Sequence, residues 1–215
     1  MIPIVPALIP TSAEQIRSVL ANLSFSPEIH IDVVDGKFVP FISWPYKEGG
    51  EPIEVHKTTD RFTLEVDLMV QSPLMAADSW LAAGADMLVF HTETIDLAAF
   101  TRFVESTRIS IGISANNDSS LEDLAPYIEV ADYIQIMGIA KIGSQGQPLD
   151  ERVFERIAAL KLKFPNHPIT VDGSVNKETI VRLVKAGADR FICGSAIVGA
   201  SNPEQAHSEL STLIK

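Results

Sequence analysis

The chain has 215 residues, 46% of them hydrophobic and 21% charged. This is ordinary globular usage, and it excludes disordered, collagen-like and repeat-array readings. Its formal charge of −11 repels phosphate backbones and anionic lipid surfaces, so neither nucleic acid nor membrane is an expected partner. The single cysteine, Cys193, permits no internal disulfide. No basic segment precedes the first apolar run, and no stretch approaches the roughly 20 apolar residues of a membrane span, so a cytoplasmic protein is expected.

Along the chain, short apolar runs alternate with amphipathic stretches. "IPIVPAL" (2–8) reads as a strand. "TSAEQIRSVLANL" (11–23) reads as a helix, with Thr11 and Glu14 spaced as a capping box and Ile16, Leu20 and Leu23 at helical intervals. "IHIDVVD" (29–35) is a second strand, followed by a long loop with Pro40, Pro45 and Pro52 and then a weak helix. The strand series continues with "FTLEVDLMV", "MLVFHTE", "ISIGISAN", "YIQIMGIA", "PITVDGS" and "RFICGSAI". Between them lie "PLMAADSWLAAGA", "DLAAFTRFVESTR", "SLEDLAPYIEVA", "DERVFERIAALKLKF" and "KETIVRLVKAGA", and "PEQAHSELSTLIK" closes the chain. Eight apolar strands separated by eight helices predict parallel pairing through crossovers, and hence one α/β domain over residues 1–215, a (β/α)8 TIM barrel. A doubly wound open sheet is the alternative. It would advertise a glycine-rich turn after its first strand, and "PALIPTS" has no glycine.

In such a barrel the chemistry gathers at the C-terminal ends of the strands. The polar residues follow that rule: His30 and Asp32 on the second strand, Asp67 with Met69 on the third, His91 on the fourth, Asn116 ending the fifth, Met137 on the sixth, Asp172 on the seventh, and Gly194 with Ser195 ending the eighth. Strand side chains alternate with period two, so His30 and Asp32 share a face. A core-facing charge costs several kcal/mol unless paired or metal-bound, so Asp32, Asp67 and Asp172 each need a partner. Asp35, in the turn pair Asp35-Gly36, reads as a turn cap at least as readily as a functional group. His91 is expected to be structural, and His56, His167 and His207 solvent-facing. Cys193 is expected to be a buried small hydrophobe. "DGSVNKE" and "GSAIVGASNP" each place small residues at a strand end ahead of a helix, which exposes amides to an anion. Lys141 is expected to be solvated.

"HIDVVDGKFVP", "DLMV", "VDGS" and "GSAI", in this order and spacing, resemble the ribulose-phosphate 3-epimerase family across essentially the whole chain. In that family an HxDxMDG segment supplies a histidine and an aspartate to a divalent metal, an HLMV segment a second histidine, and a VDGG segment a second aspartate. The resemblance therefore implies a metal set of His30, Asp32, Asp67 and Asp172, with Asp67 standing where the family has histidine. The metal would be one divalent ion, Mn2+, Mg2+, Zn2+ or Fe2+. Asp32 and Asp172 would be the two bases that invert the carbon next to a ketone. Met69 and Met137 would line the pocket. Gly143 and Gly146 of "GSQGQ", Gly173 with Ser174, and Gly194 with Ser195 would grip the phosphate. A phosphorylated sugar is the implied partner, and a homo-oligomer is expected.

Departures from the family pattern cluster on this same face: Asp67, Val34, Ala7, Phe41, and a lengthened loop with Ser144 and Gln145. They suggest an altered substrate, metal or activity, and leave a second reading, a sugar-phosphate-binding barrel without epimerase activity. Asp67 either reaches the metal or only hydrogen-bonds His30. A decarboxylase or aldol-type enzyme would want a lysine in the third strand, and "TLEVDLMV" has none.

Overall fold

Alternation along the second strand shows how the chain divides inside from outside. In "EIHIDVV", Ile29, Ile31 and Val33 join the apolar layer beneath the helices, while Glu28, His30 and Asp32 project the other way and are equally buried. Both faces of this strand are therefore covered, as parallel barrels require. The computed structural model describes residues 4–47, 49–143 and 146–214. Its strands are β1 (Ile4–Leu8), β2 (Glu28–Val34), β3 (Thr63–Met69), β4 (Met87–His91), β5 (Ser110–Ala115), β6 (Tyr133–Met137), β7 (Ile169–Asp172) and β8 (Arg190–Cys193). All pair in parallel in sequence order, and β8 closes on β1.

The helices are α1 (Ala13–Ala21), α2 (His56–Thr59), α3 (Pro73–Ala82), α4 (Leu97–Ser106), α5 (Leu121–Ile128), α6 (Arg152–Lys163), α7 (Ile180–Ala186) and α8 (Pro203–Leu213). The weak helix expected after Pro52 is a short 3-10 turn, Pro52–Val55, running into the four residues of α2. The first helix starts one residue later than the Thr11/Glu14 spacing implied. Ser12 is the cap, accepting from the Gln15 N–H at 3.1 Å, while the Gln15 side chain reaches back to the Thr11 N–H at 2.6 Å. The reciprocal pattern survives with glutamine in place of glutamate.

The barrel interior is mostly polar. Below the mouth its apolar filling includes two small clusters, Val5 with Ala7 and Ile192, and Met87 with Val89 and Tyr133. Gly112 makes the second possible, because a Cβ there would stand 2.5 Å from the Tyr133 ring. The rest of the lumen carries Glu28, His30, Glu65, Asp67, His91, Gln135, Thr170 and Arg190, all buried. Many of these groups satisfy one another, but His91 Nδ1, Gln135 Oε1, Thr170 Oγ1 and Arg190 Nε have no hydrogen-bond partner among the described residues.

Candidate active site

Register brings the ionisable groups together at the C-terminal mouth. Asp32 of β2 lies directly beside Asp67 of β3, and Met137 of β6 beside Asp172 of β7. The ligand atoms of His30, Asp32, Asp67 and Asp172 all fall within 4.8 Å of one another. A cavity of about 220 Å3 opens above them. Asp32 and Asp172 line it together with Met69 and Met137. Gly143, Gly146, Gly173, Ser174, Gly194 and Ser195, chosen from sequence for a phosphate grip, are also on its wall. His30 and Asp67 are not; both are fully buried beneath it. Ser144 and Gln145 lie outside the described residues. Lys141 is exposed and away from the cavity wall.

Beneath the cavity a chain of hydrogen bonds runs to the barrel floor. His30 places Nε2 3.2 Å from Asp32 Oδ1 and Nδ1 2.5 Å from Glu65 Oε2. Glu65 Oε1 accepts from the Tyr133 hydroxyl at 2.5 Å, and Arg190 Nη1 stands 2.9 Å from Glu65 Oε2. Arg190 also pairs with Glu28. A carboxylate on Nδ1 fixes which ring nitrogen carries the proton there and turns Nε2 toward the mouth, the usual arrangement behind a metal-binding histidine.

Asp67 corrects one expectation. It does not hydrogen-bond His30. His91 Nε2 donates to its Oδ1 at 2.8 Å and Gln135 Nε2 to its Oδ2 at 2.7 Å. The pairing follows from position, since His30 is already occupied by Asp32 and Glu65. Each carboxylate oxygen of Asp67 retains a second lone pair. Asn116 is also off the cavity wall; its N–H donates to Glu93 Oε1 at 2.7 Å. Asp35 is a turn cap, accepting from the N–H groups of Lys37 and Phe38, and it ties the Gln71 N–H to the same turn.

The other histidines are half-buried rather than solvent-facing. His56 Nδ1 lies 2.8 Å from the Ala83 carbonyl, His207 Nε2 3.3 Å from the Ile4 carbonyl, and His167 packs on Phe164. An imidazole edge finds main-chain oxygen more easily than a helix-surface assignment allows. Cys193 is buried, as expected, and burial pushes its thiol pKa above the ordinary range.

Electrostatics separate the carboxylates. Burial raises Asp172 well above the usual carboxylate range, and the neighbouring charge of Asp32 adds to it. Asp32 is raised too, again mainly by burial, with His30 opposing. Burial also works against ionised Glu65, but Arg190 and His30 prevail and hold it at about 2. Burial disfavours charged His30, yet Glu65 and Asp32 keep its pKa well above ordinary. Val34, Val39, Met69, Met137 and Ile142 form an apolar cluster at the mouth, with Phe38 packed against it. Low local polarity there strengthens every one of these interactions.

The donor set fits a divalent ion: one imidazole nitrogen and three carboxylates converge from three strands, with the histidine oriented from behind.

Sequence and structure comparisons agree with this architecture. Residues 3–198 match the model of the ribulose-phosphate 3 epimerase family. The chain belongs to that family. A ribulose-phosphate 3-epimerase of Candida glabrata is 30% identical over 200 residues, covering 82% of this chain and 77% of that protein. One from Aquifex aeolicus is 29% identical over 198 residues, covering 86% and 84%. The crystal structure of 3-hexulose-6-phosphate synthase from Salmonella typhimurium superposes with a TM-score of 0.74 at 15% identity, over 99% of this chain and 98% of that one. That likeness is one of fold. Among the described residues no helix is long and apolar enough to cross a membrane.

Glu65, Tyr133, Arg190, Glu28 and Gln135 escaped the sequence reading. A signal existed for Glu65, which shares strand parity with Asp67 in "TLEVDLMV". Arg190 and Glu28 meet only because the barrel closes.

Proposed function

We propose that this chain inverts the carbon next to the ketone of a phosphorylated ketose, such as ribulose 5-phosphate, by two-base proton transfer. The observation that carries the reading is the placement of Asp32 and Asp172. They come from β2 and β7, line one cavity, and offer carboxylate oxygens within 4.8 Å of each other. Burial raises both carboxyls, and the charge of Asp32 raises Asp172 further, which favours one protonated and one ionised carboxyl in the pair. That is the state a two-base reaction needs. The ionised carboxylate takes the proton from carbon, leaving an enediolate, and the protonated one returns a proton to the opposite face. The two then exchange roles, and atoms balance over the turnover.

His30, Asp32, Asp67 and Asp172 would hold a divalent ion, Mn2+ or Mg2+ in preference to Zn2+ or Fe2+, which when bound supplies positive charge against the enediolate oxygens. Met69, Met137 and the apolar cluster exclude water from the reacting carbon. Gly143, Gly146, Gly173, Ser174, Gly194 and Ser195 take the phosphate. The buried free Cys193 suits a reducing, cytoplasmic setting.

The test is deuterium entry from solvent into ribulose 5-phosphate, followed by NMR. The parent should label the carbon next to the ketone, and Asp172→Asn should lose labelling while still binding inorganic phosphate. Labelling at the parent rate in the variant overturns the two-base assignment. A second reading, a sugar-phosphate-binding barrel without epimerisation, is favoured by the engagement of both Asp67 oxygens with His91 and Gln135. It forecasts binding with no labelling in the parent.

A further inference from the structure

A row of lumen-facing side chains, each with one bare polar atom, crosses five consecutive strands. Pairing sets His91 of β4 beside Ser114 of β5, Ser114 beside Gln135 of β6, Gln135 beside Thr170 of β7, and Thr170 beside Arg190 of β8. All are fully buried. Among the described residues His91 Nδ1, Ser114 Oγ, Gln135 Oε1, Thr170 Oγ1 and Arg190 Nε have no hydrogen-bond partner. A buried polar atom left bare is costly, and native interiors rarely group such atoms along one wall.

The chemistry of the row selects its ligand. Gln135 Nε2 donates to Asp67 Oδ2 at 2.7 Å. A carboxylate only accepts, so the amide must face Asp67 with its NH2 group, which leaves Oε1 as an acceptor without a donor. Arg190 Nε is a donor without an acceptor, and the two hydroxyls serve either way. A cation in the row would stand against the guanidinium and leave the Arg190 donor bare. An anion would stand against Asp67 and leave Gln135 Oε1 bare. Water donates, accepts and carries no charge, and a buried water typically makes about three hydrogen bonds to groups of this kind. Neighbouring strands lie about 4.8 Å apart, so Ser114 and Thr170 flank Gln135 closely on either side, yet neither short hydroxyl reaches its carbonyl oxygen directly.

We infer that bound water in the lumen bridges the Ser114 and Thr170 hydroxyls to Gln135 Oε1, and so holds the amide that holds Asp67. Ser114 and Thr170 are thereby positioning residues for a carboxylate with which neither hydroxyl hydrogen-bonds. Held at both its nitrogen and its oxygen, the Gln135 amide cannot turn about its last side-chain torsion, and the donor to Asp67 Oδ2 keeps its place. The inference stands whatever Asp67 itself binds.

The test compares the parent with Ser114→Ala, Thr170→Val and Thr170→Ser, without added metal. Oxygen-17 relaxation dispersion counts waters that stay longer than the protein takes to tumble. The parent and Thr170→Ser should hold at least one more such water than Ser114→Ala or Thr170→Val. Thr170→Val should melt about 2–4 °C below the parent, because it strips a bridging group from buried water. With no water present the sign reverses, since a methyl in place of a bare hydroxyl removes an unsatisfied polar atom. The side-chain NH2 signals of Gln135, read by nitrogen-15 NMR, should shift and lose protection from solvent exchange in Ser114→Ala and Thr170→Val, and keep their parental positions in Thr170→Ser. An equal water count in parent and variants overturns the inference, and so does a Thr170→Val protein that melts at or above the parent. Loss of the water with the Gln135 signals unmoved overturns the positioning role.

Discussion

His91 donates from Nε2 to Oδ1 of Asp67 at 2.8 Å, at a point where both side chains are fully buried. Gln135 holds the other oxygen. Burial disfavours the charged imidazole of His91, but the Asp67 carboxylate outweighs it and raises the pKa. Asp67 is thus fixed from two strands, with a carboxylate oxygen within 4.8 Å of oxygens of Asp32 and Asp172.

Removing that acceptor should be costly. Asp67→Ala leaves the His91 and Gln135 donors buried without a partner, and loss of one member of a buried pair typically costs 3–5 kcal/mol. Urea unfolding of metal-free protein should show a destabilisation of about that size. A loss below roughly 1 kcal/mol would mean that water satisfies both donors.

Asp67→His separates metal ligation from a purely structural role. A histidine replaces a carboxylate oxygen with a borderline nitrogen donor and removes one negative charge, so affinity should move from Mn2+ toward Zn2+. Titrating parent and variant with each ion by calorimetry reads the preference directly. An unchanged ratio of the two affinities places Asp67 outside the coordination shell.

The fold was legible because β2, β3 and their successors alternate short apolar runs with amphipathic helices over eight units, and the glycine-free turn after β1 argues against a doubly wound sheet. Much of the cavity wall was legible too, since Asp32, Asp172 and the small residues after β7 and β8 sit at strand ends in the sequence itself. What lay hidden depends on three-dimensional closure. Arg190 is 162 residues from Glu28 and 125 from Glu65, so no local pattern joins them. The left-handed backbone of Ser174 is equally invisible, because serine carries no signal for it. The first helix cap was misplaced by one residue because Thr11-Ser12 offers two hydroxyls, and only the extended backbone at Ser12 selects between them.

Arg190 should prove essential to the floor of the barrel. Arg190→Met removes the guanidinium from two buried carboxylates, Glu65 and Glu28, and is expected to cost about 3–5 kcal/mol near neutral pH. The loss should be pH-dependent. Glu65 is held at about 2, below its ordinary value of 4.5, so its contribution in the parent is complete above pH 4.5 and is lost as pH falls toward 2. The gap between parent and variant should therefore narrow on acidification. A gap of constant size from pH 7 to pH 3 would show that Arg190 acts through packing alone.

Asp172 carries the opposite sign. Its carboxyl is raised well above the ordinary range, chiefly by burial and then by the charge of Asp32. The folded state therefore binds a proton more tightly than the unfolded chain, and stability falls as pH rises from the ordinary carboxylate value through the folded one. Asp172→Asn removes that titration while keeping nearly the same volume. In metal-free protein the variant should melt above the parent at pH 8, and the difference should shrink steadily toward pH 4, where the parent carboxyl is already neutral. Adding Mn2+ should reverse the order at pH 8, because the ion stabilises only the protein that retains the full set of carboxylates. Thermal unfolding across this pH range, with and without Mn2+, reads both effects. A variant that is less stable than the metal-free parent at pH 8 would show that the Asp172 carboxylate is stabilised by its surroundings rather than strained by them, and the proton shared between Asp32 and Asp172 would lose its physical basis.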